Sequence, residues 1–284
     1  MTRSSVGRPD TEGVVSYLLP TSERPVEYLY PPPEGAVLSR HAYEPRTIAV
    51  RDARCLPPSE LSIDRNGFEL RSAPTAVRDF LDDEEVRRVA YPEMAAVALA
   101  VTGAREVHVF DHVVRKREPD RPPLLFGVRE GLKYPSATGR VHNDYTETSG
   151  QRRLGMVLQD PEKEAAVKRY AIVNLWRSIA QHPVLDTPLA LCDPRTVAPT
   201  DLVPTELRYR KRTGEIYTAV HSAEHRWWYF PAMQRDEILV FKQYDSEAGE
   251  VARFTPHAAF DHPETPPDHP PRESMEVRCL LVYA

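Results

Sequence analysis

A histidine and an aspartate two positions apart are the first residues whose types and spacing could do chemistry. They lie in the tripeptide His142-Asn143-Asp144, at the end of a segment that reads as a strand. Because side chains alternate along a strand, residues two apart project from the same face. The imidazole of His142 and the carboxylate of Asp144 would then project together, as adjacent ligands of one metal ion must. This tripeptide is common by chance, so the prediction needs a ligand from elsewhere.

A third ligand has to come from a distant strand, and His257 is the candidate that we favour. It lies in a predicted strand at 254–260, beyond an acidic turn and the apolar strand 238–244. Two histidines and one carboxylate occupy one face of an octahedron and leave the opposite positions open, a set typical of Fe(II) oxygenases. His225 is a rival third ligand, although it precedes the 238–244 strand instead of following it.

Polar residues after His257 could bind an anion beside such a metal. Arg272 and Ser274 follow across the proline-rich segment 261–271, and Arg278 lies further along the same predicted strand. We expect 261–271 to form an antiparallel hairpin, with Arg272 at its inner end and Arg278 near the level of His257. A guanidinium beside a hydroxyl suits a carboxylate, held bidentately. Spacing leaves open which arginine holds the anion, and a plain salt-bridged arginine is the alternative for each.

Candidates for binding a substrate are fewer. Arg177 lies in the apolar run 171–179, and a buried arginine requires an anionic partner. It would hold a substrate carboxylate, or else form an internal ion pair. Further candidate pocket residues are Tyr134, Asn143, Tyr145 and Lys242.

Short apolar segments must position these residues. Strands are predicted at 13–19, 48–50, 107–114, 141–145, 171–179, 188–192, 216–220, 227–230, 238–244, 254–260 and 275–283. One helical region is predicted at 74–104, opened by Pro74 and interrupted at Tyr91-Pro92, and a shorter one at 162–170. Strands at this spacing, joined by proline-bearing turns, favour a β-barrel or jelly roll with helices beside it.

The composition agrees with a folded, loop-rich chain. The 284 residues include 28 prolines and only 12 glycines, yet also 13 Tyr, 8 Phe and 3 Trp. Disordered chains lack such aromatic residues, so disorder is excluded for most of the length. We expect residues 1–12 to be a flexible N-terminus and 13–284 to form one domain. Within it, 13–106 would supply N-terminal strands and helices and 107–284 the jelly-roll core.

Charge and cysteine usage limit the partners. The formal net charge of −5 argues against a nucleic-acid binder, and no apolar run approaches the ~20 residues of a membrane helix. The first residues lack the apolar core of a secretory signal. Cys55, Cys192 and Cys279 lie far apart, which predicts buried thiols. We therefore expect a cytoplasmic protein without a nucleic-acid or membrane partner.

The order of these residues resembles a known ligand order. His142-x-Asp144, then His257, then Arg272-x-Ser274 is similar to the pattern of Fe(II)/2-oxoglutarate-dependent oxygenases. Longer stretches resemble the branch that contains the cephalosporin 7α-methoxylase small subunit, a fungal gibberellin desaturase and AsaB-like hydroxylase/desaturases. The matching stretches are FELRSAPTAVRDFLDDEEV (68–86), 102–115, VHNDYT (141–146), 173–197, 225–246 and 252–278. They cover most of 68–284.

This resemblance implies a mainly β fold with flanking helices, a double-stranded β-helix (a cupin-like jelly roll). It implies Fe(II) held by His142, Asp144 and His257, and the co-substrate 2-oxoglutarate on that iron with its far carboxylate at Arg272. Dioxygen and a small metabolite would be the other reactants. The implied reaction is oxidation of a C–H bond by hydroxylation, desaturation or cyclisation, in specialised metabolism. A homodimer is among the candidate assemblies.

Two other functions remain as alternatives. A non-catalytic member of the same fold would bind a small molecule or assist a partner enzyme, although three ligands on one face have no purpose in a scaffold. A zinc hydrolase on a cupin-like barrel could use the same ligands.

Overall fold

Short strands dominate the computed structural model, which describes residues 11–39, 41–118, 120, 124 and 134–284. The strands are β1 (Thr11–Leu18), β2 (Val26–Tyr28), β3 (Tyr43–Asp52), β4 (Phe68–Ser72), β5 (Glu106–Lys116), β6 (His142–Asn143), β7 (Tyr170–Ser178), β8 (Leu189–Cys192), β9 (Leu202–Arg208), β10 (Thr213–Ala219), β11 (Trp227–Tyr229), β12 (Glu237–Asp245), β13 (His257–Ala259) and β14 (Glu273–Val282). The α-helices are α1 (Asp83–Glu85), α2 (Tyr91–Thr102), α3 (Glu147–Leu158) and α4 (Pro161–Ala166).

The strands form two sheets that face each other. The nine-stranded sheet has the order β1-β3-β11-β8-β13-β6-β10-β9-β2, and the five-stranded sheet has the order β4-β12-β7-β14-β5. Apolar side chains from both sheets meet between them, among them Phe68, Trp176 and Phe241 from one and Leu191 from the other. Burial of this shared layer joins the sheets into the predicted jelly roll, mainly β with helices outside.

A second core lies on the outer face of the five-stranded sheet. There α2 places Met94 and Ala98 against Val173 and Val277, all of them buried. Alternation along β7 and β14 therefore separates two sets of side chains. One set contacts the helix, and the other faces the space between the sheets.

The helical region differs from the sequence prediction in two respects, its start and its continuity at Tyr91-Pro92. It begins at Asp83 rather than at Pro74, because the Asp82 carboxylate accepts the backbone N–H groups of Glu84 and Glu85. Tyr91-Pro92 does not interrupt it. A π-helical turn, Val86–Ala90, leads directly into α2, and the Tyr91 N–H donates to the Val86 carbonyl. This wider turn admits a proline that an ordinary α-helical turn would exclude.

The predicted hairpin across 261–271 is wrong. Strand β13 pairs with β6 and β8 in the nine-stranded sheet, whereas β14 pairs with β5 and β7 in the five-stranded sheet. The prolines of 261–271 therefore belong to a crossover between sheets. Arg272 immediately precedes β14, in the opposite wall from His257, and both residues line the same cleft.

The N-terminal part of the chain joins both sheets. Strand β1 begins at Thr11, two residues before the predicted start, and residues 1–10 lie outside the described residues. Strands β1 and β3 extend the nine-stranded sheet, and β4 pairs with β12 in the other. Residues before 107 therefore contribute strands to the same two sheets as the residues after it.

None of the three cysteines forms a disulfide with a described residue, and only part of the prediction for them is right. Cys192 and Cys279 are buried, but Cys55 is exposed at the end of a short 3₁₀ turn. Among the residues that the structure describes, no helix combines the length and the apolar character needed to cross a membrane.

Gly67 is the glycine on which the site depends most directly. Its φ is +79°, and its carbonyl accepts hydrogen bonds from the Lys242 N–H and the Thr255 hydroxyl. An added Cβ would lie 2.3 Å from Thr255 Oγ1 and 2.9 Å from Pro194 Cγ. Thr255 in turn accepts a contact from His257 Nδ1 at its carbonyl.

We expect Gly67→Ala to lower the free energy of unfolding by about 2–5 kcal/mol, from backbone strain and overpacking together. Denaturant unfolding followed by circular dichroism measures this loss. Gly35→Ala is the matched control, since Gly35 has the same φ of +79° but no atom within 4 Å of an added Cβ. Equal losses in the two variants would contradict the packing account.

Candidate metal centre and its cavity

The two histidines are direct neighbours across a pair of strands. His142 begins β6 and His257 begins β13, and the antiparallel register places them opposite each other. Their ring centroids lie 4.3 Å apart. Asp144 follows β6, with Oδ1 3.6 Å from His142 Nε2. One ligand atom from each of His142, Asp144 and His257 lies within 4.8 Å of the others, so the structure brings the predicted triad together.

Backbone contacts orient both imidazoles. His142 Nδ1 lies 2.8 Å from the Arg140 carbonyl, and His257 Nδ1 lies 3.2 Å from the Thr255 carbonyl. A carbonyl oxygen only accepts, so each Nδ1 carries the proton and each Nε2 keeps a lone pair. This is the tautomer that a histidine needs for metal binding through Nε2.

The charge states of the triad suit a cation. Burial and the adjacent His257 lower the pKa of His142 to about 4, and burial also lowers the pKa of His257. Burial would raise the pKa of Asp144, but Arg278 and the two histidines outweigh it and hold that pKa below its usual range. At neutral pH the cluster therefore presents two neutral imidazoles and one carboxylate.

Asp144 is held by partners from the opposite sheet. Its Oδ2 accepts from Asn174 Nδ2 at 2.9 Å and from Arg278 Nε at 3.2 Å. Its backbone N–H donates to Gln243 Oε1 at 2.8 Å. The second carboxylate oxygen, Oδ1, is left on the side of the histidines. Such outer partners fix the direction of a ligand and tune its basicity.

We expect Asn174→Ala to weaken divalent-metal affinity by about 10–100-fold, as loss of an outer partner does in other metal sites. Mn(II) binding followed by electron paramagnetic resonance measures the change. Asn66→Ala is the control, because it removes another buried amide, which accepts from the Ser62 N–H. Equal affinity in wild type and Asn174→Ala would show that Asn174 does not support Asp144.

The rival ligand His225 belongs to a different cluster. Its Nε2 contacts Asp201 Oδ2 at 3.1 Å, and its Nδ1 contacts the Tyr17 hydroxyl at 2.9 Å. Trp227 Nε1 donates to the same hydroxyl. Both ring nitrogens of His225 are therefore engaged, and the structure does not bring this histidine to the triad.

Arg272, immediately before β14, and Ser274, on the inner face of β14, have unused donors. Arg272 is 3% exposed, and its NH1 group donates to the Thr187 carbonyl at 2.7 Å while its Nε has no partner. The Ser274 hydroxyl is also buried without a partner. Burial, and next Arg115, lower the pKa of Arg272 to about 9. No carboxylate of the described chain pairs with this guanidinium, so the pocket around it suits an added anion.

Arg278 is already paired. Its Nε donates to Asp144, its NH2 group to Glu276 Oε1 at 2.8 Å and its NH1 group to Asp111 Oδ1 at 3.4 Å. Each of its nitrogens therefore has a carboxylate partner. The sequence left open whether Arg272 or Arg278 holds the anion. Arg272 is the one with hydrogen-bond donors available.

The structure does not bring Arg177 to this site. The inner face of β7 carries Asn174 and Trp176, and Arg177 follows on the outer face. Its NH2 group donates to the carbonyls of Ala73 and Arg235. The apolar sequence of this segment does not indicate which residues face inward. Because side chains alternate along β7 and Asn174 faces inward, Arg177 lies on the outer face, toward the helices.

Of the other candidate pocket residues, one lines the cavity and three do not. Tyr145 lines the large cavity beside the triad. The Tyr134 ring lies 5.5 Å from Lys116 Nζ and is not among the described residues that line the cavity. Two more residues are structural: Asn143 bonds the backbone of Tyr145, Gln243 and Thr255, and Lys242 pairs with Asp64 and Asp245.

A cavity of about 560 Å³ opens at the triad, a size that suits a small organic molecule. Its walls include His142, Asp144 and Arg278, together with residues that the sequence did not single out. These are Ser149, Arg152, Arg153 and Met156 from α3, and Arg115 from β5. The spacing of the four α3 residues, which recur at three or four positions, is the signal that could have identified them as one helix face.

A narrower cleft joins the triad to Arg272. All three triad residues and Arg272 line it, together with Trp176, Leu189 and Glu276. The guanidinium of Arg272 lies 5.6 Å from the Trp176 ring centroid, which fixes its plane. The metal cluster therefore has two openings, one toward a buried arginine and one toward the large cavity.

Comparison with known proteins identifies the family. The family described as "YDMC: Oxidoreductase/YMDC permease-like domain" matches residues 15–282. The Fe(II)/2-oxoglutarate-dependent dioxygenase nvfI of Aspergillus novofumigatus is 32% identical over 269 residues, which cover 89% of each chain. Hydroxylase/desaturase efuI of Hormonema carpetanum is 29% identical over 260 residues, 86% of each chain.

A solved structure agrees with these relatives. The iron and alpha-ketoglutarate-dependent endoperoxidase NvfI superposes with a TM-score of 0.83 at 27% identity, over 96% of this chain and 98% of that one. The jelly roll and the cofactors Fe(II) and 2-oxoglutarate are thus confirmed for this chain. It belongs to the Fe(II)/2-oxoglutarate-dependent dioxygenases, in the branch of hydroxylase/desaturases that oxidise small molecules in specialised metabolism.

Proposed function

We propose that His142, Asp144 and His257 bind Fe(II) in this oxygenase, and that 2-oxoglutarate binds in the cleft with its far carboxylate on Arg272 and Ser274. The observation that carries the proposal is the convergence of two unprotonated Nε2 atoms and the Asp144 carboxylate within 4.8 Å. Two neutral nitrogens and one anionic oxygen on one side of a cation are the donor set of non-haem Fe(II) oxygenases.

Orphaned donors support the position of the co-substrate. Arg272 Nε and the Ser274 hydroxyl are buried without partners, and a buried polar group left unpaired is costly. A carboxylate would accept from both and would neutralise the guanidinium. Arg272 and the three triad residues line one cleft, which supports a dicarboxylate that meets both. The residues present therefore fit 2-oxoglutarate.

When bound, Fe(II) and 2-oxoglutarate supply the activation of dioxygen that oxidises a substrate C–H bond. The protein binds and orients. Arg278 and Asn174 hold Asp144 ionised and aimed at the metal, and Arg272 fixes the far end of the co-substrate. Trp176 and Leu189 close the cleft against water. The substrate occupies the large cavity, with the carbon to be oxidised nearest to His142 and Asp144.

The reaction outcome is hydroxylation, desaturation or cyclisation of a small metabolite. All three begin with removal of hydrogen from a C–H bond, so one metal site serves each of them. The orientation of the substrate in the cavity decides among them. A cytoplasmic location, a homodimer, and the absence of nucleic-acid and membrane partners stay predictions.

The test is turnover and binding by the purified protein. We expect isothermal titration without oxygen to show 2-oxoglutarate binding only after Fe(II) is added. In air, the same samples should form succinate, and Zn(II) in place of Fe(II) should abolish it. No 2-oxoglutarate binding to the Fe(II)-loaded protein would favour a non-catalytic role, and hydrolysis supported by Zn(II) would favour the zinc alternative.

A further inference from the structure

The large cavity carries an excess of positive charge that the metal site does not use. Arg152, Arg153 and Arg212 line it, and none of them pairs with a carboxylate in the part of the chain that the structure describes. The acidic residues on the same walls are committed elsewhere. Asp111 and Asp144 pair with Arg278, and Glu215 pairs with Arg24.

Arg153 is the best placed of these arginines. Its guanidinium lies 4.7 Å from the Phe110 ring centroid and 5.7 Å from that of Tyr145, which hold it from two sides. Its Nε is buried and has no hydrogen-bond partner. Arg152 and Arg212 are exposed, at the outer part of the cavity. An oriented guanidinium with an unused buried donor is suited to a planar anion.

The same helix links this cation to the metal. Tyr145, which supports Arg153, directly follows Asp144, and the Thr146 hydroxyl accepts the Ser149 N–H to begin α3. Arg153 and Met156 recur on one face of that helix. A molecule held at Arg153 would therefore lie at a fixed position relative to Asp144.

Part of the remaining cavity wall is apolar. Leu29, Val113, Leu207, Ile216 and Met156 contribute to its walls. Apolar surface beside the partly buried Arg153 favours an acid with an apolar skeleton over a neutral molecule, because a carboxylate accepts from the orphaned Nε and also neutralises the guanidinium.

We propose that the cavity selects a carboxylic acid with an apolar skeleton, whose carboxylate binds Arg153 while the skeleton extends toward the triad. This inference rests on the proposed function, since it names the class of substrate for that site. A single carboxylate suits the Arg153 guanidinium, and it leaves Arg272 to the co-substrate. Arg152 and Arg212 attract the acid to the entrance through longer-range electrostatics.

The test compares an acid with its neutral counterpart. Fluorescence anisotropy measures binding of 1-pyrenebutyric acid and of 1-pyrenebutanol to protein loaded with Fe(II) and labelled 2-oxoglutarate, without oxygen. We expect the acid to bind at least about tenfold more tightly, as a hydrogen bond to a charged group predicts. Arg153→Leu should remove the preference by weakening the acid alone. Arg153→Lys should retain part of it, and the exposed Arg88→Leu should retain all of it.

Retention of labelled 2-oxoglutarate, followed by equilibrium dialysis in the same samples, reports on the proposed function separately. Loss of the label from wild type without a probe would count against the co-substrate site and not against the acid site. Equal binding of acid and alcohol to wild type would overturn the inference. So would an acid preference that survives in Arg153→Leu, or displacement of 2-oxoglutarate by the acid, which would place the acid at Arg272.

Discussion

Replacing His257 by alanine should abolish the succinate formation that depends on Fe(II). His257 supplies one of two neutral nitrogens, and its Nδ1 is already oriented by the Thr255 carbonyl. Apart from His142, no other imidazole of the described chain belongs to this cluster. Loss of a residue that only supports a metal ligand lowers metal affinity by up to about 100-fold. Because His257 is a ligand itself, we expect its loss to lower the affinity for Fe(II) by more than about 100-fold. Anaerobic titration of Fe(II) and mass spectrometry of succinate measure the two effects.

His225→Ala is the matched control, because it removes another buried histidine of the nine-stranded half. Its expected cost is to stability, since it breaks the contacts with Asp201 and Tyr17. Thermal unfolding of both variants separates lost ligation from lost folding. If His225→Ala lost Fe(II) while His257→Ala kept it, the assignment of the third ligand would be reversed.

Arg272→Leu is expected to raise the KM for 2-oxoglutarate by at least about 30-fold, because truncating one member of a buried charge pair costs about 2 kcal/mol or more. The variant removes the guanidinium while keeping an apolar side chain against Trp176. Fe(II) affinity should stay near the wild-type value, since Arg272 does not contact the triad ligands through any hydrogen bond in the described structure. Steady-state succinate formation at varied 2-oxoglutarate measures KM.

Arg278→Leu provides the contrast. It removes the guanidinium that pairs with Asp144, so the affinity for Fe(II) should fall. The KM for 2-oxoglutarate should rise only because less Fe(II) is bound. Arg272→Lys should recover part of the loss, since it keeps the charge but not the planar fork. If Arg272→Leu left the KM for 2-oxoglutarate unchanged, the far carboxylate of the co-substrate would have to bind another residue.

The triad could be predicted from the sequence because its signals are local. The alternation around His142 and Asp144 holds within a few residues, and His257 is marked by the apolar strand before it. The same reasoning failed at Arg177. Strand β7 is buried on both faces, so apolar residues occupy both faces and its sequence carries no mark of which side is inward.

Long-range pairing accounts for the other errors. Nothing in 261–271 distinguishes a hairpin from a crossover, since prolines end strands in either case. The choice was made by the registers of β13 with β6 and of β14 with β7, which involve residues far away in the chain. Helix α3 was overlooked because it has few apolar residues. Its start is nevertheless encoded, by the reciprocal hydrogen bonds of Thr146 and Ser149.

Strand β14 fixes the spacing between Arg278 and Arg272. It carries Arg278 beside Asp144, Arg272 immediately precedes it, and it is paired on both edges, with β5 and β7. A strand held in this way advances about 3.3 Å per residue and cannot shorten. The distance along the chain between Arg272 and Arg278, which contacts Asp144, is therefore fixed by the backbone. If Arg272 holds the far carboxylate as we propose, we expect an oxo-dicarboxylic acid with one methylene fewer to bind more weakly, because it would not reach both Arg272 and the triad.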